Sequence, residues 1–566
     1  MDPKLTGAEK AHLKNLIDRD ELLPLAYRPR LFGGAQAVGG EEDGSDSGDV
    51  PLLCPVERFP ALPSGCSNPG GEEGGLGGGS CWTNRLIRGD GRGVLAALLR
   101  GPQRREIEAA GGVRLIYLDP PFATGGSFSM TVPIGEGPDP PLVEVPAFGD
   151  AWGTGEGYWA MLRELFRLAH ALLAEDGSLY VHCDWRTSAR MRLLLDEIFG
   201  PDRLVNELVW RYGLGNAAGR RSFARKHDTI LFYAKSDRYV FNRLRGPVTP
   251  AMATKYCHED AEGRYMLSYG RKRYLQGGKP LESVWDIPTL GPTAGERVGY
   301  PTQKPEALLE RIVLASTNPG DLVADLCCGS GTTLTVAERL GRRWLGADTG
   351  SLAVQTARRR LLAVRQSLAS GGRTSAPFEV QEVAEDAHRW GSGSDDDLLR
   401  AVLAANRGIE AVARVEGLSV TVELRGYGVE AHADGEAIGA ALRPGGQVLA
   451  VVDSRLVRVA KGRNGDVVRE RLTRRWSDWI EAWGVDFSTG EASGDGSENG
   501  VFQADWFAAR GGRERGLPLV SAPHAYPQPG TYRVGVQVID PFGCRTTTTL
   551  TVAVGAEETR AEEFSQ

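Results

Sequence analysis

The 566-residue chain has few of the features that mark disulfide-stapled, secreted or membrane-spanning proteins. Its eight cysteines include no CxxC pair, and Cys327 directly precedes Cys328, so neither a disulfide framework nor a zinc ribbon is indicated. No run approaches about 18 apolar residues, and the first ten residues lack an apolar core, so we predict neither a membrane span nor a signal peptide. We therefore expect reduced thiols in a cytoplasmic protein.

The chain also lacks a large excess of charge of one sign. The net charge of −7 argues against a uniformly basic coat for nucleic acid, although it does not exclude a local basic patch. Glycine is the one excess, because 74 residues are about 13% of the chain against a usual ~7%. Fourteen of these glycines fall in the 48 residues 33–80, together with an acidic run. This composition predicts a mobile linker or insertion.

The remaining sequence predicts an α/β protein with a separate β module. From about residue 83, apolar strands alternate with amphipathic helices, which indicates a parallel, doubly wound sheet. Beyond about residue 370 this alternation stops, and two period-two runs at 531–539 and 546–554 indicate antiparallel strands. The predicted order is an N-terminal helical segment (1–32), the linker (33–80), a catalytic domain (81–370) with an insertion (211–295), a mixed accessory region (371–470), a β module (471–556) and a tail (557–566).

A glycine-rich turn follows one predicted strand at Asp325-Leu-Cys-Cys-Gly-Ser-Gly-Thr-Thr333. A strand that runs through such a turn into a helix brings backbone N–H groups against a ligand. The next strand ends at Asp348, 23 positions after Asp325, which is a spacing that suits a carboxylate bound to ribose hydroxyls. No lysine follows the glycines as in a Walker motif, so a P-loop is excluded.

A second turn, Asp119-Pro120-Pro121-Phe122, ends another predicted strand. The prolines lack backbone donors, so the Asp119 carboxylate and the Pro120 carbonyl can accept two hydrogen bonds from one exocyclic amino group. These bonds leave the nitrogen lone pair free to attack an electrophile, and Phe122 offers a flat face for stacking on a base. Taken alone, the motif is also compatible with a turn that merely ends a strand.

Together the two turns resemble those of the amino-methylating DNA methyltransferases, in which Asp-Pro-Pro-Phe/Tyr is the catalytic motif and Asp-x-Phe-x-Gly-x-Gly the cofactor turn. The resemblance covers about residues 83–365 and includes 226–233 and 300–305. The catalytic turn precedes the cofactor turn by about 200 residues, which is similar to the circularly permuted β class, including type III modification subunits. The implied fold is a Rossmann-like S-adenosylmethionine-dependent methyltransferase sheet.

The resemblance implies a cofactor site, a catalytic site and a DNA substrate. Asp90 corresponds to the contact to the cofactor's adenine, and residues 300–305 to the segment near its methionine end. Cys327 stands where phenylalanine is usual. Aspartate as the first catalytic residue favours adenine N6 over cytosine N4 on a base flipped out of double-stranded DNA. No metal is required, and a restriction subunit and a homodimer stay open. The full implied cofactor set is Asp325, Cys327, Gly329, Ser330, Gly331, Thr332, Asp348, Asp90, Thr302 and Lys304.

A basic, aromatic segment follows at 211–279. It contains 15 Lys/Arg, 5 Asp/Glu and ten Phe/Tyr, a local charge of +10. Such a segment suits phosphate neutralisation and contact with a distorted duplex, although a solvated basic face is the alternative for any single cluster. The predicted DNA-binding residues are Arg220, Arg221, Arg225, Lys226, Arg271, Lys272 and Arg273.

Other interpretations stay open at this point. The same chemistry on cytosine N4 or on RNA is one, and a non-catalytic DNA-binding protein with a degenerate methyltransferase fold is another. His182, Cys183 and Asp184 are interpreted as core or strand-end residues, because successive strand residues point to opposite faces. Helical spacing of Trp476, Trp479 and Trp483 favours a core role. The segment from Tyr526 through the two period-two runs resembles a PKD-type, immunoglobulin-like β-sandwich.

Overall fold

The computed structural model describes residues 51–61, 82–152, 155–213, 221–383, 402, 405–430, 435–488, 501–511 and 515–555. The predicted N-terminal helical segment, most of the linker and the tail lie outside these residues. No helix in the described part of the chain is both long and apolar enough to cross a membrane.

The described residues form strands and helices that alternate as far as residue 383 and are mostly strands beyond it. The strands are β1 Leu53–Phe59, β2 Asn84–Arg88, β3 Val113–Leu118, β4 Ser127–Pro133, β5 Leu142–Gly149, β6 Leu173–Cys183, β7 Leu204–Arg211, β8 His227–Ala234, β9 His258–Asp260, β10 Gly263–Ser268, β11 Arg271–Tyr274, β12 Val284–Asp286, β13 Leu322–Asp325, β14 Arg343–Asp348, β15 Phe378–Val383, β16 Asn406–Glu416, β17 Ser419–Glu430, β18 Gln447–Val452, β19 Arg455–Lys461, β20 Val467–Arg471, β21 Ala482–Asp486, β22 Phe502–Gln503, β23 Trp506–Ala509, β24 His524–Ala525, β25 Gly530–Ile539 and β26 Arg545–Val554. The α-helices are α1 Gly91–Arg100, α2 Gln103–Ala109, α3 Glu156–Leu172, α4 Ser188–Phe199, α5 Pro250–Lys255, α6 Glu306–Ser316, α7 Thr332–Arg339, α8 Ser351–Ser370 and α9 Gly435–Ala441.

An eleven-stranded mixed sheet carries the methyltransferase-like part, in the order β12-β7-β8-β6-β3-β13-β14-β2-β15-β1-β22. The six strands from β6 to β15 are parallel, while β8 pairs antiparallel with both β6 and β7. Buried apolar runs form the central strands, with helices such as α3 and α7 packed on them, as a sheet covered on both faces requires. The predicted doubly wound architecture is thus present, with an antiparallel extension on the β8 side.

Two predicted boundaries are wrong. Leu53–Phe59, inside the predicted linker, is a strand that pairs with β15 and β22. Its short apolar run, Leu53-Cys-Pro-Val56, was hidden by the average composition of the surrounding glycine-rich stretch. The sheet also takes Phe378–Val383 and Phe502–Gln503 from beyond residue 370, so the predicted catalytic domain was too short.

The C-terminal residues form β sheets that share one apolar core. A sheet of β16-β17-β24 and a sheet of β23-β21-β25-β26 contribute buried residues to the same cluster. Residues 406–430, assigned to the accessory region, therefore belong with the β module, while the PKD-type assignment stays a prediction. The helical spacing assumed for Trp476, Trp479 and Trp483 is wrong, because a 3-10 turn ends at Trp479 and Trp483 lies on β21. Both Trp479 and Trp483 are buried in the core.

A hairpin links this C-terminal core to the methyltransferase-like part. Strands β4 and β5 pair antiparallel, and their residues Val132 and Val145 are buried in the same cluster as the module's Val536. Near the hairpin tip, Glu136 pairs with Arg475 and with the fully buried side chain of Arg510. The hairpin is therefore held by the C-terminal module at its tip and by the main sheet at its base.

Candidate active site

The carboxyl ends of neighbouring parallel strands bring the predicted acidic residues to one edge of the sheet. Asp119 follows β3, Asp325 ends β13, Asp348 ends β14 and Asp90 follows β2, and these strands are adjacent in the order β3-β13-β14-β2. All four residues line one cavity of about 340 Å³. Open α/β sheets bind ligands at this edge. The two turns, about 200 residues apart in sequence, therefore meet in one cleft.

The catalytic turn is fixed on both sides. Tyr158 donates from its hydroxyl to the Pro121 carbonyl at 2.6 Å. After the turn, Ala123 adopts a left-handed φ of 53°, and its amide and that of Thr124 both donate to the buried Asp150 carboxylate at 3.0 Å. Asp119, Pro120, Pro121 and Phe122 all line the cavity as a result. Pro120 is also buried.

The two oxygens of the Asp119 carboxylate have different surroundings. The Lys304 ammonium donates to Oδ2, although Lys304 was predicted to contact the cofactor. Oδ1 is buried and has no hydrogen-bond partner among the described residues, and His182 Nδ1 lies 3.8 Å from it. The Lys304 ammonium also lies 5.8 Å from the centre of the Phe122 ring.

The cofactor turn depends on two glycines with left-handed φ. A Cβ on Gly331, at φ 75°, would lie 2.6 Å from the Cβ of Ala357. A Cβ on Gly329, at φ 49°, would lie 3.2 Å from the Tyr300 ring, which also lines the cavity. Side chains are thus excluded where the turn packs closely against its neighbours.

Asp325 and Asp348 organise the backbone of this turn. Asp325 accepts from the Cys327 amide at 3.1 Å and from the Thr333 hydroxyl at 2.5 Å. Burial raises the pKa of Asp325 to about 7. Asp348 accepts from the Gly329 amide at 2.8 Å, and burial raises its pKa as well.

Further cofactor candidates are held by residues that the sequence did not single out. Arg360 donates to the Ser330 carbonyl at 3.0 Å and to the Thr332 hydroxyl at 2.9 Å. Asp90 caps helix α1, accepting from the Arg92 amide at 2.8 Å. Thr302 adopts a left-handed φ of 58°. Among the predicted cofactor residues, all but Gly331 line the cavity, and Gly331 shapes the turn from behind.

Comparisons with known proteins agree with this geometry. A family model described as DNA methylase, of the N6/N4 methyltransferases, matches residues 113–359. Residues 113–359 are a DNA methylase domain. The chain is 29% identical over 331 residues to the type II methyltransferase M.EcaI of Enterobacter cloacae, covering 48% of this chain and 71% of the relative. It is 28% identical over 277 residues to the DNA adenine methyltransferase YhdJ of Escherichia coli K12, covering 49% of this chain and 82% of that protein.

Among solved structures, the complex of M1.HpyAVI with SAM matches at 19% identity and a TM-score of 0.32, covering 49% of this chain and 98% of that one. The predicted family and its methyl-transfer activity on DNA are confirmed by the match of the DNA methylase domain. S-adenosylmethionine, as predicted, is the methyl donor of this family.

The predicted DNA-binding residues of the DNA methylase domain fall into two groups. Arg225 is exposed and lies 3.8 Å from the centre of the exposed Trp185 ring, beyond the carboxyl end of β6. Arg271, Lys272 and Arg273 are exposed on β11, in the separate sheet β11-β10-β9, where Lys272 donates to Asp260 at 2.6 Å. The rest of the first group is Arg221, which is exposed, Lys226, which is half-buried, and Arg220, which lies outside the described residues.

Three parts of the site were missed from the sequence. Phe128 and Phe148, stacked at the base of the hairpin, line the cavity, and no sequence motif marked them. Asp150, which holds the residues after the catalytic turn, was missed because nothing local indicates a contact 27 positions away. His182 was assigned to the core and is fully buried, but it also lies beside Asp119.

Proposed function

We propose that this DNA methylase domain transfers a methyl group from S-adenosylmethionine to adenine N6 of a base flipped out of double-stranded DNA. The observation that carries the proposal is the single cavity that joins the Asp119-Pro120 acceptor pair to the glycine turn at Gly329. The target amino nitrogen and the methyl donor can therefore occupy one cleft. S-adenosylmethionine held at the glycine turn would supply an electrophilic methyl carbon, and its transfer to the amino nitrogen would leave S-adenosylhomocysteine and one proton passed from the nitrogen to solvent.

The chain's own residues position this reaction. Asp119 and the Pro120 carbonyl accept from the amino group, and Phe122 stacks on the base. Because Lys304 donates to Oδ2 of Asp119, the target amine replaces or shares this contact on entry. Holding the nitrogen in line with the methyl group is the main contribution that such a site makes.

Two lines of support favour adenine. The first residue of the catalytic turn is Asp119, and the E. coli relative is named a DNA adenine methyltransferase. The cofactor roles of Asp325, Asp348, Asp90 and the residues at 300–305 belong to the same proposal. A cytoplasmic location follows from genomic DNA as substrate, whereas a restriction subunit and a homodimer stay predictions of the resemblance.

We propose that DNA approaches over the rim formed by Trp185, Arg186 and Arg225. Trp185 and Arg186 follow β6, the neighbour of the strand that carries the catalytic turn. The guanidinium of Arg225 lies 3.8 Å, and that of Arg186 5.0 Å, from the centre of the Trp185 ring. Exposed cations around an aromatic ring suit phosphate contact beside an unstacked base.

The test is mass analysis of nucleosides digested from duplex DNA after incubation with the protein and S-adenosylmethionine. We expect 6-methyladenine, and we expect Asp119→Ala to lose turnover while it still binds the cofactor. Alanine at the exposed Asp202 is the matched control and should leave turnover unchanged. If 4-methylcytosine alone were detected, the adenine assignment would be wrong, and if Asp119→Ala still methylated DNA, the assigned site would be wrong.

A further inference from the structure

His182 is a fully buried side chain that contacts two other polar side chains beneath the catalytic turn. Its Nδ1 lies 2.9 Å from the Tyr117 hydroxyl, and its Nε2 lies 3.3 Å from Asp228 Oδ2. Tyr212 donates to the other oxygen of Asp228 at 3.1 Å. The imidazole is therefore held by residues on the two strands that flank β6, and Asp228 is held in turn by the residue that follows β7.

The edge of this ring faces the one unsatisfied oxygen of the catalytic carboxylate. Asp119 Oδ1 is buried without a hydrogen-bond partner among the described residues, and His182 Nδ1 is 3.8 Å away. A buried carboxylate oxygen without a partner is energetically unfavourable, so a donor that reaches it stabilises the site. A movement of about 1 Å would bring this pair to hydrogen-bond distance, and hydrogen bonds at active sites commonly shorten when substrate binds.

Asp228 shows that the network is electrostatically coupled to the active site. Burial opposes ionisation of this carboxyl, yet its hydrogen bond to His182 and the charges of His182 and Lys304 hold its pKa below the usual range. Asp228 thus stays an acceptor for His182 Nε2. The imidazole lies between two carboxylates, Asp119 on the Nδ1 side and Asp228 on the Nε2 side.

We propose that His182 is a positioning residue for methyl transfer. With its Nε2–H donated to Asp228, the doubly protonated ring shares its Nδ1–H between the Tyr117 hydroxyl and Asp119 Oδ1 in the reacting complex, and so keeps Oδ2 directed into the cavity toward the target amine. The inference rests on the proposed function, because it assigns to Asp119 the role of amine acceptor. It also explains why a histidine, rather than an apolar residue, is buried at this point of β6.

Two amide substitutions separate this role from simple packing. The amide nitrogen of asparagine superposes on histidine Nδ1, whereas that of glutamine superposes on Nε2. His182→Asn therefore keeps a donor toward Asp119, and His182→Gln keeps only the contact to Asp228. Packing alone predicts the opposite order, because glutamine fills more of the buried volume.

The measurement is the single-turnover rate of DNA methylation, with the dissociation constants of cofactor and DNA determined in parallel. We expect a loss of about tenfold for His182→Asn and about 100-fold for His182→Gln, as misplacement of a reacting group by about 1 Å predicts. Both dissociation constants should change by less than about threefold. His170→Gln, at a half-buried histidine on α3, is the control and should match the wild-type rate.

Rates for both His182 variants within about threefold of wild type would overturn the proposal, as would a faster His182→Gln than His182→Asn. If either variant loses cofactor binding through misfolding, the variant Asp228→Asn, which weakens the anchor of His182, tests the proposal instead. It should lower the single-turnover rate several-fold at unchanged cofactor affinity, and an unchanged rate would overturn the proposal. Methylation by Asp119→Ala would instead refute the proposed function itself, whatever the His182 variants do.

Discussion

The raised pKa of Asp325 predicts that cofactor binding depends on pH. Burial raises this pKa to about 7, and the charges of Asp119 and Asp348 act in the same direction. In the proposed cofactor site, S-adenosylmethionine would bring a sulfonium and an ammonium group into the cavity that Asp325 lines. Because a nearby cation favours the ionised carboxylate, we expect the bound state to have lost the proton.

The size of the effect follows from that pKa. At pH 6 about nine-tenths of the free protein carries the proton on Asp325, and at pH 8 about one-tenth does. If only the ionised form binds, the cofactor dissociation constant falls about tenfold from pH 6 to pH 8, which corresponds to about 1.4 kcal/mol. In the free protein the sign for folding is opposite. A carboxyl whose folded pKa lies above its unfolded value of about 3.9 lowers stability as pH rises from about 4 to 7.

Isothermal titration calorimetry at pH 6, 7 and 8, in two buffers of different ionisation enthalpy, measures both the affinity and the protons released. We expect nearly one proton released at pH 6 and few at pH 8. Asp325→Asn should remove most of both the pH dependence and the proton release. A wild-type affinity that is flat between pH 6 and 8, or uptake of a proton on binding, would contradict the reasoning.

Three further predictions follow from packing and charge. Gly331→Ala should destabilise the protein by about 2–4 kcal/mol, because the new Cβ would overlap Ala357 and alanine is strained at a left-handed φ. The control Gly341→Ala, at a φ of 72° without a close neighbour, should cost only about 1 kcal/mol. Thermal or denaturant unfolding measures both changes. Glu136→Gln should lower the free energy of unfolding by about 1–2 kcal/mol, because the hairpin tip loses its ion pairs. It should also weaken cofactor binding several-fold, and an unchanged cofactor affinity would show that the hairpin tip does not influence the cavity. Arg225→Ala should weaken DNA binding and reduce the slope of log K against log salt by about one if this side chain contacts phosphate, whereas an unchanged slope would exclude that contact.

The site could be predicted where the chemistry is carried by contiguous residues. The turns at Asp119 and Gly329 each combine a strand, a break and a helix or loop, so local sequence determines both their shape and their place at the sheet edge. Asp348 followed from its place at the end of the next predicted strand, whereas Asp90 followed only from the resemblance to the family.

Contacts set by long side chains and distant segments could not be predicted in the same way. Lys304 was expected near the cofactor from the resemblance to the family, and its further contact with the carboxylate of Asp119 was not predicted. Strand β1 was obscured by glycine-rich flanks, and the hairpin strands β4 and β5 carry no motif. The alternation of strand residues correctly placed His182 and Cys183 on opposite faces of β6. It gave no information about the contact between His182 and Asp119, which follows the neighbouring strand β3.

The short strand Phe502–Gln503 has a consequence for how this protein can vary. It is the edge strand of the eleven-stranded sheet, next to β1, although more than 130 residues separate it from the end of α8. Exchange of C-terminal segments between related proteins by recombination at one junction would therefore remove a piece of the catalytic scaffold as well. We expect the two regions to melt in one cooperative transition and to be inherited as a unit.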